Sequence, residues 1–222
     1  MKNIPRIYIG ETIVPGTTVP VSKDILHYLT HVMRTDHCLV FGDGNEYTAT
    51  LSGQGTGLVI GEQTSHPDPS NGITLMFSPI KRTDDLLNMA TQMGIARFIP
   101  VITQRTNAHH INWERMRKIV IEAAQQSNRN TVPQILPPVN FDELDMSNIV
   151  FADERAAHGH DASDLPSGTE TILIGPEGGF SESEFASLDA SGAIGFSLGK
   201  TILRAEVAAV VAITQVLLQN DN

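Results

Sequence analysis

The chain lacks most of the features that would assign it quickly. Its 222 residues hold one cysteine, Cys38, which excludes an internal disulfide framework and fits a reducing compartment. It has no long hydrophobic run: the longest, residues 205–218, is interrupted by Glu206, Thr214 and Gln215 and is too short to span a bilayer. The opening Met1-Lys-Asn-Ile-Pro-Arg6 has no signal-peptide apolar core, so the expectation is a soluble, cytoplasmic protein without a membrane partner. Gly-x-Gly-x-x-Gly, His-Glu-x-x-His and Cys-x-x-Cys are missing, and no Gly-Lys-Ser/Thr follows the Gly178-Gly179 turn, which removes dinucleotide, P-loop and zinc-site readings based on motif. His109-His110 and His158-Gly-His160 read as exposed loop histidines, and no metal is expected.

Basic residues are also scarce, 15 Lys and Arg against 25 Asp and Glu. A net charge of −10 weighs against nucleic-acid binding, because phosphate contacts need cations. The distribution qualifies the sum. Residues 72–130 carry 8 basic and 4 acidic side chains, whereas residues 131–222 carry 3 and 14. The middle of the chain is the one stretch with a field suited to a phosphate backbone. Lys81 and Arg82, the helical Arg115, Arg117 and Lys118, and then Arg129 are its candidates; the plainer alternative is a solvated face.

What is present divides at residue 70. Residues 1–70 read as a small β-rich, barrel-like module. Strands are expected at 6–9, 38–41, 47–51 and 58–60, with Gly42-Asp-Gly-Asn45 as a hairpin turn and a helix over 24–33. The polar, Pro-rich stretch 65–72 is a linker. From Ile73 strands and helices alternate, which predicts a mostly parallel sheet with helices on both faces. Strands fall at 73–77, 98–102, 149–152, 171–174 and 194–198. Helices fall at 83–93 (Thr83 as cap, Gly94 as stop), 113–126, after Ser181, and from about 204 to 218.

The second part is organised around Ile172-Leu-Ile-Gly175-Pro-Glu-Gly-Gly179-Phe180. A short β-branched run stops at a glycine turn, and Ser181 with Glu184 forms a capping box that starts a helix. Gly178 and Gly179 allow backbone amides to approach a ligand closely. A tight turn without a ligand reads equally well locally. Two further loops, 153–155 and 199–204, follow neighbouring late strands. In a parallel sheet all three open on the same edge, where α/β proteins bind ligands. Arg204 and Lys200 could stabilise developing negative charge, or simply cap and solvate a helix. Glu206 in the first helical turn is favoured by the helix dipole whatever its function. Cys38 reads as buried packing.

Ile174-Gly-Pro-Glu-Gly-Gly-Phe-Ser181 together with Leu198-Gly-Lys-Thr-Ile-Leu-Arg-Ala-Glu206 closely resembles the paired late motifs of the SPOUT methyltransferases. Ser78-Pro-Ile-Lys81 through Ala90-Thr-Gln-Met-Gly94, Phe98-Ile-Pro100, Ala124-Gln-Gln-Ser-Asn-Arg129, and the N-terminal His27-Tyr-Leu-Thr-His-Val-Met-Arg34 with Phe41-Gly-Asp-Gly44 resemble the RsmE family, the ribosomal RNA small-subunit methyltransferases E. The resemblance covers nearly the whole chain. It implies an α/β protein with an N-terminal PUA-like β-barrel (1–70) and a C-terminal SPOUT domain (71–222) carrying a parallel sheet and a trefoil knot. It implies S-adenosyl-L-methionine as methyl donor, N3 of a uridine in 16S rRNA of the small ribosomal subunit as acceptor, and a homodimer. The cofactor residues would be Ile174, Gly175, Pro176, Glu177, Gly178, Gly179, Leu198, Gly199, Ile202 and Leu203. Arg204 would sit at the reaction centre, with Glu206 and Lys200 as further catalytic candidates. RNA would meet Arg34, Lys81, Arg82, Arg115, Lys118 and Arg129. The sequence departs from the family pattern at Gln125, Thr201 and Val207, where Glu, Arg and Thr are usual. A 2′-O-ribose methyltransferase of the same superfamily, and a silent RNA-binding protein that has lost activity through these departures, are the other readings.

Overall fold

The computed structural model describes residues 4–10, 12–53, 55–107 and 112–220; His109 and His110 lie outside them. The chain forms two compact units. The first is Met1–Ser70 with Ile121–Val132, and the second is Asn71–Val120 with Pro133–Asn222.

In the first unit five short strands form a curled sheet. β1 (Arg6–Tyr8), β2 (Thr18–Pro20), β3 (His37–Phe41), β4 (Glu46–Leu51) and β5 (Gly57–Gln63) run in the order β1-β3-β4-β5-β2. Alternation sends Cys38, Val40, Tyr47, Ala49, Leu58 and Ile60 to one side, where they bury Leu29 and Ile7. The expected hairpin pairs His37 with Thr50 through Phe41 with Glu46. Its turn needs glycine: at Gly42, φ is 152° and a Cβ would come within 1.9 Å of the Gly10 carbonyl oxygen. β2 escaped the sequence reading because three residues ending in Pro20 carry too little pattern to detect. The expected helix over 24–33 is α1 (Lys23–His27) followed by a wide π-turn over Tyr28–Met33, closed by Arg34 at φ 52°. Apolar spacing over so short a stretch cannot distinguish these two windings.

The segment 121–132 joins this unit through buried polar contacts. Arg6 donates to Glu46 at 2.7 Å, to the Arg129 carbonyl at 3.0 Å and to Asn130 Oδ1 at 2.8 Å. The Tyr8 amide donates to Gln125 Oε1 at 3.1 Å. Asn130 and Thr131 donate to the Asp68 carboxylate at 2.9 and 2.8 Å.

The second unit is built on a parallel sheet. β6 (Thr74–Phe77), β7 (Arg97–Ile102), β8 (Gln134–Ile135), β10 (Val150–Ala152), β11 (Thr171–Ile174) and β12 (Ile194–Phe196) run in the order β12-β10-β11-β6-β7-β8, and the two-residue β9 (Val139–Asn140) pairs with β7. The near-continuous apolar runs of β10 and β11 suit strands covered on both faces. α2 (Thr83–Gln92), α3 (Trp113–Gln126), α4 (Glu182–Ser191) and α5 (Ala205–Asn220) complete it, although the second half of α3 belongs to the first unit. Thr83 is not the cap of α2. Arg82 holds that position, and the Thr83 hydroxyl accepts from the Ile80 amide and donates to its carbonyl, bracing the preceding turn. α4 starts with the expected capping box, Ser181 with Glu184. No helix among the described residues is long and apolar enough to cross a membrane.

Candidate active site

The register of the parallel strands decides where the late loops go. Val150 pairs with Ile172 and with Ile194, so β10, β11 and β12 end at one level and their loops open together. They enclose a cavity of about 250 Å³. Ile174, Gly175, Pro176, Glu177 and Gly179 line it from the first loop; Leu198, Gly199, Ile202, Leu203 and Arg204 line it from the second. Gly178 does not. Its carbonyl faces away and accepts from Arg105 at 2.8 Å. Arg105 also reaches the Phe180 carbonyl at 3.1 Å, so one guanidinium fixes both sides of the glycine turn. The sequence reading missed Arg105, since an arginine in a polar loop carries no local signal.

Two glycines in the turn sit in tight surroundings, and one of them has a positive φ. Gly179 has φ 67°, and a Cβ there would lie 2.0 Å from Glu154 Oε1. Gly175 lies under the Phe180 ring, which a Cβ would meet at 3.0 Å. The turn is thus pressed against Phe180 and Glu154, and the Phe180 amide donates to Glu154 Oε1 at 3.2 Å.

Glu154 lines the cavity with Asp153, Ala152 and Ala157. Burial raises its pKa above the usual carboxylate range, and the neighbouring Asp153 charge adds to this; the amides of Glu154 and Phe180 and the Arg155 charge oppose it. Arg155 is occupied elsewhere. It forks between Asp153 at 2.7 Å and Asp189 at 2.8 Å and stacks 4.0 Å over the Phe185 ring. That pairing holds the Asp189 pKa down.

The other catalytic candidates fall outside the cavity. Lys200 is exposed and does not line it. Glu206 is only 4 % exposed and pairs with Arg82 at 3.6 Å. The cause is helical phase: Ala205 and Ala208 share the face turned to the cavity, and Glu206 is one step of about 100° away. Among the departures, Thr201 lines the cavity, Val207 is 42 % exposed on α5, and Gln125 serves the Tyr8 amide in the first unit.

Of the RNA candidates, Arg34, Lys81, Arg82, Arg115 and Lys118 are exposed. Arg129 is not: it is 1 % exposed, reaches Ser70 and Thr131, and burial lowers its pKa. Its arginine character misled the sequence reading, and its place is in the packing of the first unit. Lys81 and Arg115 flank a second cavity of about 310 Å³ with an apolar floor that includes Phe77, Pro100 and Met116. Phe77 is the register partner of Ile174 in the first cavity, so the two cavities open on the same edge of the sheet. Arg115 is paired with Asp84. Among the described residues no group of three His, Cys, Asp or Glu gathers into a metal site, and His158 and His160 are exposed.

The pattern of the RNA methyltransferase domain matches residues 67–217. The ribosomal RNA small subunit methyltransferase E of Rickettsia conorii is 35 % identical over 96 % of this chain and 95 % of its own. This chain belongs to the RsmE family. The Synechocystis member is 28 % identical over 95 % of this chain and 76 % of its own. The crystal structure of the Neisseria gonorrhoeae RsmE, bound to S-adenosyl methionine, is 30 % identical and covers 96 % of both chains with a TM-score of 0.79. A Legionella pneumophila structure at 23 % identity and TM-score 0.80 agrees in fold. A chain of this family thus carries both late loops of its parallel sheet, 174–179 and 198–204, on one cavity.

Proposed function

We propose that this chain transfers the methyl group of S-adenosylmethionine to N3 of a uridine in 16S rRNA. It is an S-adenosylmethionine-dependent methyltransferase of ribosomal RNA, as its family is; the uridine and the N3 position are the proposed part. The observation that carries the reading is the single cavity formed by the Gly175–Phe180 and Leu198–Arg204 loops.

The residues present fit the cofactor. Ile174, Leu198, Ile202 and Leu203 give apolar walls for a purine, and the Cβ-free turn at Gly175 and Gly179 leaves backbone polar groups accessible. When bound, the cofactor supplies an electrophilic methyl on a sulfonium. The protein's part is to hold an unpaired uracil in line with it. The second cavity, beside Phe77 and flanked by Lys81 and Arg115 on the same edge of the sheet, is where we place the acceptor nucleotide. As the N3 proton leaves, negative charge spreads to the uracil carbonyl oxygens, and Arg204, the basic residue lining the donor cavity, stabilises it there.

The PUA-like barrel assigned to residues 1–70, the SPOUT domain assigned to 71–222, the trefoil knot near the C-terminus, the homodimer and the cytoplasmic location belong to the same reading. What supports the dimer is an apolar stripe on α5, with Val207 and Leu218 at 42 % and 62 % exposure, beside Ile202 at 65 %.

The test is methylation of small ribosomal subunits from cells lacking the gene, with mapping of the product. One 3-methyluridine is expected. A 2′-O-methylated ribose would overturn the position, and no product with cofactor bound would overturn the activity. Arg204→Ala should raise the barrier by about 2–4 kcal/mol, lowering kcat roughly 30- to 1,000-fold; unchanged kcat would remove its role.

A further inference from the structure

Glu154, an acidic residue lining the donor cavity, serves no step of the transfer as derived above. Glu154 lines that cavity, yet no cationic side chain is hydrogen-bonded to it among the described residues. Its chain neighbour Arg155 is held by Asp153 and Asp189. Arg105, across the glycine turn, is held by the Gly178 and Phe180 carbonyls. Among the described residues its hydrogen bonds come from amides, with Arg155 acting at longer range, and burial leaves it holding its proton more tightly than an exposed acid does.

Once ionised, a carboxylate there attracts a cation that enters, and the attraction is strong where water is excluded. Two ligands use this cavity in turn, and the transfer itself changes their charge. The methyl donor is a sulfonium, positively charged at sulfur. The product left after methyl loss is a neutral thioether of almost the same shape. Apolar walls and backbone amides cannot distinguish the two. A charged side chain can.

We propose that Glu154 selects the cationic methyl donor over its neutral thioether product, and so favours product exchange after each transfer. The inference rests on the methyltransferase reading above. The other charged groups facing the cavity do not reproduce the effect. Asp153 is paired with Arg155. Glu177 is at the exposed rim, and Arg204 carries the opposite sign. His158 closes the short helical turn that Glu154 starts and is exposed, so variant and wild type are compared at each pH.

The test is calorimetric titration of the full chain with S-adenosylmethionine and with S-adenosylhomocysteine, from about pH 5 to 8. The wild type should bind the sulfonium more tightly, and the ratio of the two affinities should grow as pH rises and Glu154 ionises. Glu154→Gln keeps an oxygen for the Phe180 amide and loses the charge. It should weaken sulfonium binding by about five- to tenfold, leave the thioether within about twofold, and flatten the pH dependence of the ratio. Equal weakening of both ligands would mean that Glu154 only braces the turn, and would overturn the proposal. An unchanged ratio would do the same. Should the variant fold poorly, the wild-type pH series still tests the proposal: a ratio independent of pH overturns it. Failure of the wild type to bind either ligand would instead overturn the methyltransferase reading.

Discussion

At the scale of single residues, the site depends on a contact between Gly179 and Glu154. Alanine at 179 would have to hold φ near 67° with its Cβ 2.0 Å from a carboxylate oxygen. The left-handed conformation alone costs about 1–2 kcal/mol for an L residue, and the collision forces the turn or Glu154 to move. Gly179→Ala should therefore weaken S-adenosylmethionine binding by about tenfold or more, read by calorimetry, whereas Gly178→Ala, with Arg105 at an ordinary 3.6 Å, should cost less. Glu154 also leaves a mark on stability. Its folded pKa is raised, mainly by burial, so its contribution is complete at acid pH and is lost as pH rises through the folded value. Unliganded Glu154→Gln should then melt no lower than wild type at pH 8, and its advantage should disappear toward pH 4. A variant that melts well below wild type at pH 8 would contradict the burial argument.

At the scale of elements, α4 shows how a local signal becomes part of the site. The Ser181–Glu184 box was readable from four residues, but Glu184 does more than cap. Its Oε2 accepts from the Ser181 amide at 2.8 Å and its Oε1 from the Gln104 amide at 2.8 Å, and the side chain is buried. One carboxylate thus ties the start of α4 to the loop after β7, the loop that carries Arg105. Removing a simple cap costs about 1 kcal/mol; removing Glu184 takes the acceptor from the buried Ser181 amide and from the part-buried Gln104 amide together. Glu184→Ala should lower stability by about 2–3 kcal/mol in denaturant titration, against about 1 kcal/mol for Ser181→Ala. Similar costs for both would mean the Gln104 contact contributes little.

At the scale of the whole molecule, α5 sets two requirements. One face buries Ala205, Ala208, Ala209, Ala212, Ile213 and Val216 within its own unit. The opposite stripe leaves Val207, Thr214 and Leu218 exposed, with Val211 half-buried. A helix apolar on nearly all sides is one that expects further cover. The dimer proposed above supplies it with a second copy of α5. Val207→Asp should shift the protein toward monomer in sedimentation at micromolar concentration, while the folded-state far-UV spectrum stays unchanged; a variant that remained dimeric would place the interface elsewhere.

The sequence alone determined the parts that depend on neighbours along the chain. Apolar runs bounded by glycine and proline marked β6, β7, β10 and β11, the hairpin turn at Gly42 and Gly44 was written in its residue types, and the paired motifs at 174–181 and 198–206 carried the family. Short strands such as β2, β8 and β9 were invisible because two or three residues hold no period. Tertiary structure decided what depends on distance. Only the folded chain could show that Glu206 turns under α5 while Arg204 faces the cavity, that Arg129 is enclosed rather than offered to RNA, and that Arg105 and Glu154 grip the glycine turn from either side. The reason is physical: side-chain direction and solvent exclusion are set by what packs alongside, and residues tens of positions apart in the chain supply that packing.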